Sequence, residues 1–439
     1  MHDEASLAAG VAIASAAHAA RHGNARVLGE ALRASRRDTL ATYAAFEQAL
    51  AALRVPQRAE LNPPLWELGH IGWFQAHWIG RNPQRHRGHR ADPDAPRLAP
   101  PRANADALYD SSKVAHDTRW SLPLPDAPAT RADLEAVLAQ SLRCLDAGGH
   151  DDDALYFHRL ALLHEDMHHE AALYMAQSLG IAIDDVRWQP HALPPAGPEL
   201  TFDAAPWQLG ELRPRGVVFD NEVGRSEVAT PAFSIDAQAR RWADYLPFVE
   251  AGGYTERRWW SETGWAWLRS REVEREVAHE PDPVFEQRDA PRYLRRAAPA
   301  AAGTVALPPA AWQQWRHGRW LPLDPSEATR HLTHHEAEAW CRWAGRRLPT
   351  EAEWERAALT RPDAFAWGEV WEWTASVFAP FAGFEAHPYR DYSAPWFDGR
   401  PVLRGASFMT QPRMKHPRYR NFFGAHRNDV PAGFRTCIL

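Results

Sequence analysis

The chain has 439 residues, too many for one ordinary core, so at least two domains are expected. With 45% hydrophobic and 24% charged residues it reads as a globular protein, and a net charge of −6 gives no electrostatic attraction for nucleic acid or an anionic membrane. Cys144, Cys341 and Cys437 are odd in number and far apart, which speaks against a disulfide framework and for a reducing cytoplasm.

Residues 1–27 open with an Ala-rich apolar run, but Asp3 and Glu4 stand where an export signal carries Lys or Arg. A disordered or loosely helical tail is expected there. No run of 18 apolar residues occurs anywhere, so no membrane-spanning helix is expected. Residues 28–54 place apolar side chains at helical spacing and end before Pro56. Residues 63–80, PPLWELGHIGWFQAHWIG, begin with prolines suited to a first helical turn. A Pro- and Arg-rich stretch, 81–106, reads as a long surface loop. Helices resume at 130–147 and 153–180, and four helices with one long crossover over 28–185 suggest a bundle.

From about 186 the texture changes. Short aromatic and β-branched runs such as RGVVFDNEV and PVLRGASF alternate with Gly, Pro and Asp turns. One helix, 333-THHEAEAWCRWAG-345, stands out by its Thr cap and its glycine stop. The linker is 185-DVRWQPHALPPAGPEL-200, and 186–439 reads as an irregular, loop-rich α+β domain without internal repeats. Most of the 21 tryptophans are expected in the core, although aromatic faces also suit a quaternary ammonium group.

The chemistry concentrates in 161-ALLHEDMHHEAALYMAQ-177. His164 and His168 are four residues apart, so on a helix they project about 40° apart on one face. Two neutral imidazoles there can share one cation. His70, mid-helix among apolar residues, is the natural third ligand from a facing helix, with His77 as its substitute. HEDMH also satisfies H-E-x-x-H, the zinc-protease pattern, in which Glu165 would be the base. The metzincin extension fails, because Ala171 and Tyr174 occupy its Gly and His positions. Spacing alone leaves a zinc metalloprotease open.

LWELGHIGWF and HEDMHHEAALYM, with YDSSKVAHDTRWSLPLP between them, resemble the DinB-type four-helix domain of the ergothioneine-biosynthesis sulfoxide synthases. The second half resembles the formylglycine-generating-enzyme (C-type-lectin-like) fold that accompanies it. The matching stretches, in order, are 219-FDNE-222, 248-FVEAGGY-254, 345-GRRLPTEAEWERAA-358, 371-WEWTAS-376, 402-VLRGASF-408, 419-YRNFF-423 and 432-AGFR-435. Formylglycine generation itself is not expected, since that chemistry depends on a cysteine pair and 404-RGASFMTQPRMKHPRYR-420 has none.

The resemblance implies that His70, His164 and His168 hold non-haem iron(II). Three facial imidazoles leave up to three adjacent positions on an octahedral ion, for a substrate imidazole, a soft chalcogen donor and O2. The implied substrate is hercynine, the trimethylated betaine of histidine, which is joined to sulfur at its imidazole carbon with concomitant oxidation. Asn421 and Phe422 are implied for substrate binding, and Arg427 for a carboxylate or other polar group. Tyr389 and Tyr392 both lie in 387-HPYRDYS-393, where the family has an active-site tyrosine, and the resemblance leaves open which one matches.

Three departures bear on the second substrate. Arg119 stands alone where the branch using γ-glutamylcysteine carries an arginine pair suited to two carboxylates. Met167 replaces a glutamine between the metal histidines, and Phe423 replaces an acidic residue. A donor pocket of this kind resembles that of the selenoneine synthases, which take selenium from a selenosugar. Cysteine or γ-glutamylcysteine as sulfur donor is the alternative.

Overall fold

The first described helix is tied to a distant segment by a buried ion pair. The computed structural model describes residues 15–212, 215–224, 227–277, 289–297 and 312–439. Residues 15–22 form α1, and Arg21 on it is buried, pairing through both terminal nitrogens with Glu222 at 2.7 and 2.8 Å. The expected tail is therefore helical and docked from residue 15 onward; residues 1–14 lie outside the described residues. A buried guanidinium requires a partner, and its carboxylate lies 201 residues away, which no local pattern reveals.

Four long helices follow as a bundle: α2 (Ala25–Ala49), α3 (Pro64–Gln75, extended by a π-type turn over Ala76–Gly80), α5 (Ala127–Asp146) and α6 (Asp152–Leu179). A short α4 (Ala105–Tyr109) lies within the crossover. Their starts follow capping rules. Asn24, Asp126 and Asp151 each accept a backbone N–H three residues on, and Pro63 leads into α3. Gly180 closes α6 in the left-handed conformation, φ 70°.

The helix α6 is buried nearly all round, as a helix between two layers must be. One face meets α2 through Ser35 to Asp166 (2.6 Å), Arg36 to Glu165 (2.7 Å) and Thr42 to His169 (2.9 Å). Its other face meets the second half. Glu170 accepts from Trp371 Nε1, Ser407 Oγ and Thr410 Oγ1, all at 2.7 Å, and Arg413 pairs with Asp166 at 2.8 Å.

The second half is α+β. Its strands are β1 (Leu200–Phe202), β2 (Ala205–Gln208), β3 (Glu227–Thr230), β4 (Phe233–Ile235), β5 (Leu294–Arg296), β6 (Trp312–Arg316), β7 (Arg319–Pro322), β8 (Arg346–Arg347), β9 (Trp371–Val377), β10 (Pro401–Gly405), β11 (Asn421–Phe422), β12 (Ala432–Gly433) and β13 (Cys437–Ile438). The two larger sheets run β1-β4-β13-β8 and β11-β10-β9-β12. Among the described residues four α-helices interrupt the strands, where one was expected: α7 (Trp242–Glu250), α8 (Glu262–Val277), α9 (His334–Trp343) and α10 (Glu351–Thr360). The additional helix α10 is nucleated by a capping box, Thr350 with Glu353, inside LPTEAEWERAA. The recurring motifs prove to be a lattice of buried ion pairs: Arg420 with Glu351, Arg404 with Glu355 and Arg435 with Glu372. Such pairs specify one arrangement of otherwise irregular segments, since an unpaired buried charge is strongly destabilising. No helix among the described residues is long and apolar enough to cross a membrane.

Candidate metal centre

The helices α3 and α6 face each other at the level of His70, and the i,i+4 spacing brings His164 and His168 to the same point. One donor atom from each of the three imidazoles lies within 4.8 Å of the other two. Ring centroids are 5.1 Å apart for His70 and His164, 4.9 Å for His70 and His168, and 4.4 Å for His164 and His168.

Each ring is oriented from behind. His70 Nδ1 donates to the Tyr109 carbonyl at 2.8 Å, so its Nε2 carries the lone pair. His168 Nδ1 is hydrogen-bonded to Glu67 Oε2, the carboxylate–imidazole arrangement that orients a metal ligand and raises its basicity. His164 is clamped by Phe74, stacked at 3.5 Å and 3°, and its buried Nε2 meets no hydrogen-bond partner. An orphaned, buried imidazole nitrogen aimed at two others fits a cation between them. Burial and the neighbouring His168 lower the His70 pKa to about 3, which keeps it neutral at physiological pH. The same two causes, together with His70, hold His164 well below its ordinary value. Burial pushes the Glu67 carboxyl up, but His168 outweighs it and the pKa falls.

His77 does not join this group; it packs on Trp73 at 4.9 Å. Glu165 is turned away and buried against Arg36, so the protease reading loses its base. A carboxylate already held by a guanidinium at 2.7 and 3.1 Å does not activate water.

Beside His168 opens a cavity of about 230 Å³, lined by Met167, Tyr174, Trp371, Tyr392, Tyr419, Asn421, Phe422 and Phe423 among others. The expected Met167, Tyr392, Asn421, Phe422 and Phe423 thus converge on one space. Tyr389 lies elsewhere, edge-on to Phe74 (4.8 Å) and to His164 (6.0 Å). A hydroxyl chain links wall and metal helix: Tyr392 Oη donates to Tyr419 Oη at 2.8 Å, and Tyr419 Oη donates to Met167 Sδ at 3.3 Å. Burial raises the pKa of both phenols, so they are protonated donors at neutral pH.

The two arginines do not line the cavity. Arg427 is locked onto Asp429 by two bonds of 2.5 Å and lies over the Phe423 ring at 5.1 Å, supporting that ring from behind. Arg119 lies 3.8 Å over Trp66, donates to Asn62 at 2.8 Å, and Trp66 in turn stacks on His70 at 4.8 Å. Arg119 thus packs behind the ring that stacks on His70.

Residues 199–369 match the sulfatase-modifying factor enzyme 1-like domain. Nearly the whole chain aligns with the hercynine oxygenase of Mycolicibacterium thermoresistibile, 29% identical over 444 residues, covering 88% of this chain and 89% of that protein. The hercynine oxygenase of Mycolicibacterium smegmatis is 29% identical over 430 residues, covering 85% and 90%. The formylglycine-generating enzyme of Thermomonospora curvata is 29% identical over 167 residues, covering 37% and 49%. This chain is a homologue of the hercynine oxygenases.

Four residues of the site, Glu67, Phe74, Tyr109 and Tyr419, do not stand out in the sequence. Glu67 is three residues from His70 yet serves His168, a contact that depends on how α3 and α6 cross. Tyr109 acts through its carbonyl, which carries no sequence signal. Tyr419 was within reach, as the first letter of YRNFF, but its hydroxyl's partners come from two other segments.

Proposed function

We propose that this protein is an iron(II)- and O2-dependent enzyme that joins a chalcogen to the imidazole carbon of hercynine, with a selenosugar as the preferred donor. The observation that carries the reading is a three-imidazole site opening beside a cavity walled by aromatic rings, Asn421 and Glu170. His70, His164 and His168 would hold the iron, which when bound supplies O2 activation and one-electron chemistry. In the overall reaction a C–H and a chalcogen–H bond give way to a C–chalcogen bond, and O2 takes up four electrons, one of its oxygens leaving as water and the other ending as the oxide on the chalcogen.

The chain's own residues do the positioning. Aromatic faces of Trp371, Tyr392 and Phe422 suit a trimethylammonium group, which donates no hydrogen bonds. Asn421 Oδ1 already accepts from the Phe422 N–H at 2.9 Å, which leaves its NH2 as a donor for a carboxylate. Tyr392 Oη rests with its proton on Tyr419 Oη, and turning that O–H toward the cavity delivers it as charge develops. Rings packed over the metal helix exclude water from the reacting atoms.

Donor choice follows from charge. The guanidiniums of Arg119 and Arg427 are engaged by Asn62 with Trp66 and by Asp429, so two carboxylates on a donor would meet no free fork from either residue. A sugar needs none, and Met167 with Phe423 offers a soft, apolar surface for selenium. Cysteine or γ-glutamylcysteine is the second reading, favoured by the full-length similarity to hercynine oxygenases. A reducing cytoplasm suits three free cysteines and an oxidisable donor.

The test is mass analysis after incubating iron(II)-loaded protein with hercynine and O2, offering selenosugar, cysteine and γ-glutamylcysteine together. The selenosugar adduct of hercynine should dominate. A dominant sulfur adduct would reject selenium as the native donor while leaving the iron site intact.

A further inference from the structure

A second group of metal-binding side chains stands apart from the triad, at the start of α9. His334, His335 and Glu338 each offer one donor atom, and the three atoms lie within 4.8 Å of one another. Local sequence builds the cluster. Thr333 and Glu336 form a capping box, with Glu336 N donating to Thr333 Oγ1 at 3.1 Å and Thr333 N donating to Glu336 Oε2 at 2.7 Å. The box fixes the first turn, and His334 and Glu338 then lie one above the other at i,i+4.

The rings are already turned for ligation. His334 Nε2 donates to the Thr374 carbonyl at 3.1 Å, so its lone pair is on Nδ1, which faces Glu338 Oε2 at 3.8 Å. That carbonyl belongs to β9, and Trp373 of the same strand holds the ring edge-on at 5.7 Å. His335 packs against Trp267 at 5.8 Å, and its Nδ1 is buried with no hydrogen-bond partner. An imidazole lone pair, a carboxylate and a second imidazole, whose Nδ1 is orphaned, stand close enough together to share one cation.

We propose that His334, His335 and Glu338 form a second metal site, binding a divalent ion of the zinc class with water completing the coordination. Two nitrogens and one carboxylate oxygen suit zinc, cobalt or nickel, whereas calcium and magnesium select oxygen-only sites. Glu336, the acidic residue of the first turn, complements the positive end of the α9 dipole. His334 and Glu338 keep 14% and 32% of their side-chain surface exposed, so the ion exchanges with solvent. Because His334 is hydrogen-bonded to β9, the bound ion pins the first turn of α9 to the strand that carries Trp371 of the substrate cavity.

The test is equilibrium dialysis of the chelator-stripped full-length protein against zinc alone, with cobalt substitution giving a spectrum for each site. Wild type should bind two ions per chain, and His164→Ala should bind one without any change to α9. A His335→Ala/Glu338→Gln double variant, which spares the His334 bond to Thr374, should also bind one, with near-ultraviolet circular dichroism checking its fold. Retention of two ions by the double variant, or no ion in His164→Ala, would overturn the second site. A double variant that binds none beside a one-ion His164→Ala would instead point to failure of the triad.

Discussion

The two halves of the molecule contribute to the site in different ways. The helical half supplies donors at fixed spacing on two long helices, each oriented by one partner: Tyr109 behind His70, Glu67 behind His168 and Phe74 against His164. The α+β half supplies a wall from short strands and loops, held by buried ion pairs that keep its arginines away from the cavity. A periodic scaffold fixes chemistry locally, while an irregular one fixes it through contacts far apart in sequence.

The strongest way to break this contrast is on the helical side. His164→Ala should abolish both iron binding and product, read by metal analysis and mass spectrometry, and full turnover would sink the assignment. On the opposite wall, Tyr392→Phe should lower kcat by about 10²-fold while iron content stays unchanged, since a positioned proton donor contributes at least that much. Tyr389→Phe, outside the cavity, should cost much less; the reverse ranking would exchange the roles of the two tyrosines. Glu67→Gln should weaken iron binding about 10–100-fold, measured by chelator competition, as loss of a partner behind a ligand does.

Acid tests how tightly the halves are coupled. Burial lowers His158 in the bundle to about 4, and lowers His331 and His387 in the second half to about 3 and about 4. These imidazoles stay neutral when folded but take a proton below about 6.5 when unfolded. Stability is therefore full above that value and falls as pH drops toward 4. Metal-free protein should lose more than about 5 °C in Tm between about pH 7.5 and about pH 5, in a single transition. Two separated transitions would show that the Glu170 and Asp166 contacts do not couple the halves. The smallest effect is expected at Arg119, where Arg119→Ala should leave the KM for the chalcogen donor within about twofold. A rise of tenfold or more would mean that the guanidinium leaves Trp66 to bind a carboxylate.

The same contrast governs what could be read from the sequence. His164 and His168 were legible because helical period alone brings them together, and His70 because a bare mid-helix histidine requires a partner. The bundle and the α+β half followed from periodicity and turn chemistry, and the ordered motifs marked the second fold. That Arg427 faces Asp429 was not legible, although the two are only two residues apart, because spacing in a loop does not say which groups face each other. Arg21 was hidden for a related reason: its partner Glu222 belongs to a different domain of the sequence, and an Ala-rich opening looks like a tail until that carboxylate is in place.

The central claim is that three imidazoles on α3 and α6 hold an iron that uses O2 to modify hercynine. It is tested most directly by oxygen uptake on anaerobically iron(II)-loaded protein, with the product followed by mass. Uptake and adduct should appear together only when iron, hercynine and a chalcogen donor are all present, and both should vanish in His164→Ala. Adduct formation without iron or without O2 would contradict the account.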